Sequence, residues 1–194
     1  PKSLLLIIEH ISKNYNEPIS IILKERGPLK EEYCRLGKVF IWEKKWYYEK
    51  NIFTRLKNRL LNNNKRNQNI ILKYLYKNKP KVIFNNTVVN GVILEKLSKL
   101  NTPIISRIPE LETVMKIYQV RFNSTNKVLK YSSNFITPSL SGKNNLIDNF
   151  NIAPDKIEVA YGTILKKTNH VIVNNEAELN KIGIPNDSFV VGAC

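Results

Sequence analysis

The apolar positions of this chain change period as it runs. Leu4, Leu5, Ile8 and Ile11 recur at helical spacing behind Ser3, a residue able to cap, and Pro18 stops that pattern. Ile19–Leu23 is a short, mostly apolar run of the kind that fills a buried parallel strand. Gly27-Pro28 marks a turn, Leu29–Leu36 reads as a short helix closed by Gly37, and Val39–Trp42 is the next strand. The alternation returns downstream as strand Val82–Phe84, helix Gly91–Leu100, strand Ile104–Ile108, helix Leu111–Phe122, strand Asn134–Thr137, helix Leu140–Phe150 and strand Ile157–Tyr161. Short apolar runs spaced by helices of about 10–15 residues predict βαβ crossovers, because parallel neighbours cannot be joined by a tight turn. The expected fold class is α/β, a Rossmann-like doubly wound parallel sheet of about six or seven strands in a single domain.

Two stretches depart from this rhythm. Residues 43–77 hold ten Lys or Arg against two acids, Glu43 and Glu49, with Trp46, Tyr47, Tyr48 and Phe53 interleaved. Within them Asn62–Asn67 is low in complexity and reads as a loop. Residues 169–188 read as a connector with a short helix around Glu176–Ile182, and Phe189–Cys194 as an opening strand. The domain reading is therefore 1–168 as an N-terminal Rossmann-like domain, with 169–194 leading into a further domain.

Charge adds a partner class. With 31 Lys+Arg against 16 Asp+Glu the net charge is +15, which suits nucleic acid, anionic lipid or a phosphorylated substrate. Abundant Lys, Asn and Ile are equally what an AT-rich coding sequence yields. No apolar stretch reaches the roughly 18 residues needed to span a bilayer. Cys34 and Cys194 make no disulfide framework, so a cytoplasmic setting is expected, with the inner face of the cell membrane as a further option. There is no phosphate-loop lysine motif, nucleophile elbow or Cys-x-x-Cys pair, and the two histidines, His10 and His170, have no carboxylate at ligand spacing. Neither a metal nor a cofactor is expected.

In doubly wound sheets ligands bind beyond the carboxyl ends of the strands. That rule selects Asn85-Asn86-Thr87, Arg107 to Glu112, and Pro138-Ser139. Arg107 stays protonated, so it cannot act as a base; it can clamp a phosphate or carboxylate, or pair with Glu110 or Glu112 to hold the strand end. Asn86 and Thr87 can bond polar groups of a ligand or cap the helix that follows. Ser139 can cap its helix or help hold an anion there. Gly162 reads as a backbone turn at a hinge.

Taken in order, these segments resemble family 4 glycosyltransferases. Val82–Thr87 followed by a helix from Gly91 looks like that family's strand, Asn-Thr, helix element. Pro103–Glu112 resembles its strand ending in a His-x-His-Glu-Leu-type motif, and Phe135–Ser139 with Leu146-Ile147, then Ile152–Val159 and Gly162, is similar to its later strand, Ser, helix, Lys-Ile-x-Val, Gly pattern. Leu179–Val191 looks like the bridge into the second domain, and Pro1-Lys2-Ser3 like the tail of the turn after the family's first strand, which adds Lys2 to the acceptor- or phosphate-binding candidates. The resemblance implies two facing Rossmann-like domains (the GT-B fold). The C-terminal one, with a Glu-x7-Glu signature, binds the nucleotide-sugar, and the N-terminal one holds a glycan or lipid-linked acceptor. It further implies transfer of a hexosyl group with retention, without a bound metal, in polysaccharide or glycolipid biosynthesis, and inactivity of this chain alone. Where the motif has histidines this chain has Arg107 and Pro109, so no catalytic residue is assigned; Glu110 and Leu111 match. The resemblance also makes docking on an anionic membrane worth testing, with Lys44, Lys45, Trp46, Arg55 and Arg59 facing the surface beside a helical stripe of Ile52, Phe53, Leu56 and Leu60. The alternative there is an amphipathic helix packed on the sheet. The alternative function is a basic nucleic-acid-binding α/β domain without catalysis, although no RNP-like, helix-turn-helix or zinc pattern is found.

Overall fold

A computed structural model describes residues 2–15, 17–43 and 63–162. The chain divides into two compact units, 1–162 and 163–194, and every described residue belongs to the first. Its elements are α1 (Lys2–Asn14), β1 (Ser20–Leu23), α2 (Lys30–Leu36), β2 (Lys38–Ile41), α3 (Asn63–Asn78), β3 (Ile83–Asn86), α4 (Gly91–Leu97), β4 (Ile104–Arg107), α5 (Glu112–Phe122), α6 (Ser124–Tyr131), β5 (Asn134–Thr137), α7 (Leu140–Phe150) and β6 (Ile157–Val159). Each strand expected between Ile19 and Tyr161 is present within two residues of its expected bounds, and every pairing among the described residues is parallel; the expected helix around Glu176–Ile182 and strand Phe189–Cys194 lie outside the described residues. The fold is α/β and Rossmann-like.

The strands form two hydrogen-bonded groups, β1-β2 and β3-β4-β5-β6, and not the single sheet expected. The reason is topological. Among the described residues no strand pairs with both β1 and β3, so no ladder of backbone hydrogen bonds joins the two groups. The two groups still share a core. Trp42, which follows β2, is buried with Leu94 and Leu97 of α4, Ile104 of β4, Met115 of α5, Val128 of α6, Phe135 of β5 and Leu146 of α7, and Ile22 and Phe40 pack against that cluster.

Two helices correct the sequence reading. Residues 63–67, expected as loop, are the first turns of α3. Ile71 and Leu75, one turn apart, are buried in the core, and Asn67, one turn before Ile71, donates from its amide to the Ile41 carbonyl. The polar start of α3 is thus carried by its apolar second half and tied to the end of β2. Helix α6 was not expected, because its buried face includes Ser124 and Thr125 beside Val128. Those hydroxyls are satisfied internally: Thr125 donates to the Met115 carbonyl at 2.7 Å and Ser124 to the Val88 carbonyl at 2.6 Å. Asparagine takes the place of glycine at helix ends. Asn101, Asn123 and Asn151 sit at φ 53°, 50° and 53°, the left-handed region that Asn enters more readily than most residues.

Helices α4 and α6 approach closely. The Gly91 N–H donates to Ser124 Oγ at 2.8 Å, and a Cβ at Gly91 would overlap the Ser124 main chain. Lys127 of α6 also bonds Glu95 of α4 at 2.7 Å, and this hydrogen bond holds the Glu95 carboxyl below the usual carboxylate range. Its contribution to stability is therefore present above the unfolded carboxylate pKa and fades as pH falls through the folded one. We expect Gly91→Ala to lower stability by about 1–3 kcal/mol or more, because the obstructing atoms are backbone. Gly162→Ala, whose added Cβ meets nothing within 4 Å, should stay within about 0.5 kcal/mol of wild type. Urea unfolding followed by circular dichroism checks both.

Candidate functional site

β3 and β4 run parallel in a register that sets Asn86 opposite Arg107, so the segments after both strands emerge together at the carboxyl edge of the sheet. Arg107 donates from Nη1 to Asn86 Oδ1 at 3.0 Å, and the Thr87 N–H donates to the Arg107 carbonyl at 2.9 Å. Thr87 sits at φ 101° and ψ 150°, where a β-branched residue is strained by about 1–3 kcal/mol. Four hydrogen bonds hold it there. Besides its own N–H, its hydroxyl donates to Glu110 Oε1 and accepts from the Val89 N–H at 3.3 Å, and its carbonyl accepts from Asn85 Nδ2 at 3.0 Å. Glu110 reaches back because Ile108, buried and bonded through its N–H to the Ile136 carbonyl, anchors the segment before it. Glu110 Oε2 is buried and has no hydrogen-bond partner among the described residues.

Beneath this edge lies a polar layer that the sequence reading missed. Asn85 Nδ2 also donates to Ser106 Oγ at 3.0 Å, Asn90 donates to Asn85 Oδ1 at 3.1 Å, and Ser106 and Ser132 share a hydroxyl bond of 2.6 Å. Asn85 and Ser106 are register partners and both are buried. The available signal was two polar residues at inward positions of otherwise apolar strands, which buried backbone neighbours require to be satisfied.

The candidates separate clearly. Asn86, Thr87, Arg107 and Glu110 are brought together. The ion-pair alternative for Arg107 is not what the structure shows: Glu110 is taken by Thr87, and Glu112 pairs with Lys116 one turn along α5. Ser139, two residues beyond β5, is the N-cap of α7, its Oγ accepting from the Gly142 N–H at 3.1 Å, so its capping role is realised. Thr87 likewise caps the turn Val88–Asn90. Lys2 opens α1, with its side chain outside the described residues. Lys44, Lys45, Trp46, Arg55 and Arg59, and the stripe beside them, lie outside the described residues altogether. His10 is exposed in α1 and interacts with Asn14. Among the described residues no cluster of His, Cys, Asp or Glu could hold a metal ion, and no helix is long and apolar enough to cross a membrane. An open groove lined by Lys65, Arg66, Ile70, Lys73 and Tyr76 lies on one face of α3, and among the described residues no second element lines it.

A parallel α/β sheet with helical crossovers defines a Rossmann-like fold, and a polar cluster lies at its carboxyl edge. The chain is similar to two crystal structures of Alr3699/HepE from Anabaena. The complex with UDP superposes with a TM-score of 0.58 at 14% identity, and the complex with UDP-glucose with 0.56 at 13%. Each alignment covers 93% of this chain and 46% of the other, so the chain spans about half the length of the solved structures it matches. No protein-family profile and no curated protein matches it.

The strain at Thr87 gives an expectation that separates backbone from side-chain effects. Thr87→Val keeps the strain and the shape but loses the bonds to Glu110 and Val89, and should cost about 1–3 kcal/mol. Thr87→Gly loses the same bonds but relieves the positive φ, and should be the milder change despite the larger deletion. Paired urea titrations decide; a milder valine variant would mean the backbone there is unstrained.

Proposed function

We propose that this chain is the N-terminal, acceptor-side domain of a nucleotide-sugar-dependent glycosyltransferase of the family 4, retaining type. The observation that carries this reading is the strained, hydrogen-bonded cluster Asn86-Thr87-Arg107-Glu110 at the carboxyl edge of a sheet whose fold matches HepE. HepE is seen with UDP and with UDP-glucose, which supports a nucleotide-sugar as donor here. Residues 1–168 would form the acceptor-side domain and 169–194 would lead into the donor-binding one.

In this reading a hexosyl group passes to a hydroxyl of a glycan or lipid-linked acceptor. The C1–O bond to the donor phosphate breaks, the acceptor oxygen bonds C1 on the same face, and the acceptor proton leaves on the departing phosphate oxygen. No cofactor takes part. The leaving phosphate is stabilised mainly by the donor-binding domain, and the present domain contributes by fixing the acceptor hydroxyl against the face of C1 from which the phosphate departs, an effect able to supply several kcal/mol of the barrier. Asn86 and Arg107 present amide and guanidinium groups for acceptor polar atoms. Glu110 acts through Thr87, as a positioning residue. The work belongs at the cytoplasmic face of a membrane if Lys44, Lys45, Trp46, Arg55 and Arg59 dock there; Lys/Arg→Glu changes at these positions should then abolish sedimentation with anionic vesicles.

The direct test compares this 194-residue chain with a longer form of the protein that carries a donor-binding domain. The longer form should transfer or hydrolyse a nucleotide-sugar such as UDP-glucose, and this chain should do neither. Tight binding of a nucleotide-sugar by this chain alone, seen by calorimetry, would refute the assignment of the donor site to the other domain.

A further inference from the structure

Arg107 is a part-buried guanidinium with an unusual lack of company. It has five N–H donors, and one of them is used, on the neutral amide oxygen of Asn86. Among the described residues no carboxylate lies within ion-pair distance of it. Two glutamates stand three and five residues further along the chain, which is within easy reach of an arginine at a strand end. The local structure turns both away. Glu110 is drawn to the Thr87 hydroxyl at the expense of a strained backbone, and Glu112 to Lys116. A cation needed only to hold the strand end would be stabler paired, since an ionised group withdrawn from water without a partner is costly. Here the neighbouring carboxylates are held off it, and Asn86 fixes the orientation of its fork.

We infer that Arg107, oriented by Asn86, is an oxyanion-binding subsite for a phosphoryl group carried by the acceptor. This rests on the glycosyl-transfer reading only for the word acceptor; the anion site stands on the geometry. The planar guanidinium matches two oxygens of a phosphoryl group through parallel N–H donors. A phosphoryl group is favoured over a carboxylate because its higher charge gains more in the field of a +15 chain. The same chemistry is present in a donor's phosphates, so the experiment has to separate the two sources.

The probe is inorganic pyrophosphate, titrated into the 194-residue chain with backbone amide shifts as readout. Saturable shifts at Asn86, Thr87 and Ile108 are expected. Arg107→Gln should weaken binding about tenfold or more, and Arg107→Lys by less, since it keeps the charge and loses the fork. Lys99→Gln, which removes an equal charge elsewhere, should leave the affinity within about twofold. If Arg107→Gln binds as wild type does, or if Lys99→Gln weakens binding equally, the subsite is refuted and the association is a diffuse field effect. A dispersed amide spectrum for Arg107→Lys guards against loss of fold. In the longer enzyme, Arg107→Gln should raise KM for an alkyl-phosphate-bearing acceptor and leave KM for the nucleotide-sugar unchanged; the reverse pattern overturns the assignment to the acceptor. Pyrophosphate binding at Arg107 without any sugar transfer by the longer enzyme would remove the functional reading and keep the anion site. Transfer to a phosphorylated acceptor that ignores Arg107→Gln would do the opposite.

Discussion

The register of β3 against β4 is the constraint on which the candidate site depends. Placing Asn86 opposite Arg107 brings the ends of both strands to one edge, and a slip by one residue would turn every side chain of one strand to the other face. Several interactions fix it. The Ile83 N–H bonds the Pro103 carbonyl at one end, the Thr87 N–H bonds the Arg107 carbonyl at the other, and buried Asn85 meets buried Ser106 between them. A polar pair buried side by side tolerates no alternative partner without leaving an amide unsatisfied, so it specifies register more sharply than two aliphatic side chains would. Asn90, in the turn before α4, bonds Asn85, and Ser132, the residue after α6, bonds Ser106. The helices are thereby coupled to the same register, and the close Gly91–Ser124 contact follows from it.

The strain at Thr87 has a place in this scheme. A β-branched residue at φ 101° persists only where its surroundings over-determine it, and here they do so with bonds to Arg107, Glu110, Val89 and Asn85. One consequence is that Glu110 is committed. Its Oε1 accepts from the Thr87 hydroxyl, its Oε2 has no hydrogen-bond partner among the described residues, and no ion pair joins it to Arg107. Strain and an unpaired cation are usually treated as separate marks of function; in this edge the first produces the second.

Most of the architecture was legible because βαβ units announce themselves through alternating apolar runs and helical periods. Ile104–Arg107 and Asn134–Thr137 are strands within their expected bounds for that reason. Helix α6 was hidden because its inner face is built on Ser124 and Thr125, which look like loop residues until their hydroxyls are seen bonded to Val88 and Met115. The start of α3 was hidden because Asn-rich turns have no period of their own and are held helical by Ile71 and Leu75 downstream. The separation of the strands into two groups depends on which strands become neighbours, which local patterning along β1 to β6 does not encode. At the site, position was legible and partnership was not. Sequence placed Arg107, Glu110 and Asn86 near one edge, but whether Arg107 meets a carboxylate or an amide is decided by the strained turn at Thr87.

The large positive charge is a blunt functional clue. Among the described residues many cations are engaged in ordinary structural contacts. Lys38 lies 4.0 Å from the centre of the Tyr74 ring, Lys96 bonds Gln68 and lies 5.8 Å from the centre of the Trp42 ring, Lys127 pairs with Glu95, and Lys143 donates to the Ile157 carbonyl. Such lysines raise the potential around the whole domain and speed the approach of any anion, but they do not choose where it lands. Choice requires a cation whose geometry is fixed and whose charge is left over. Arg107 meets both conditions, because Asn86 orients it without neutralising it. A compositional bias toward lysine and a specific anion site are then compatible in one chain: the first sets the rate of encounter, and the second sets the place and pose in which the ligand is held.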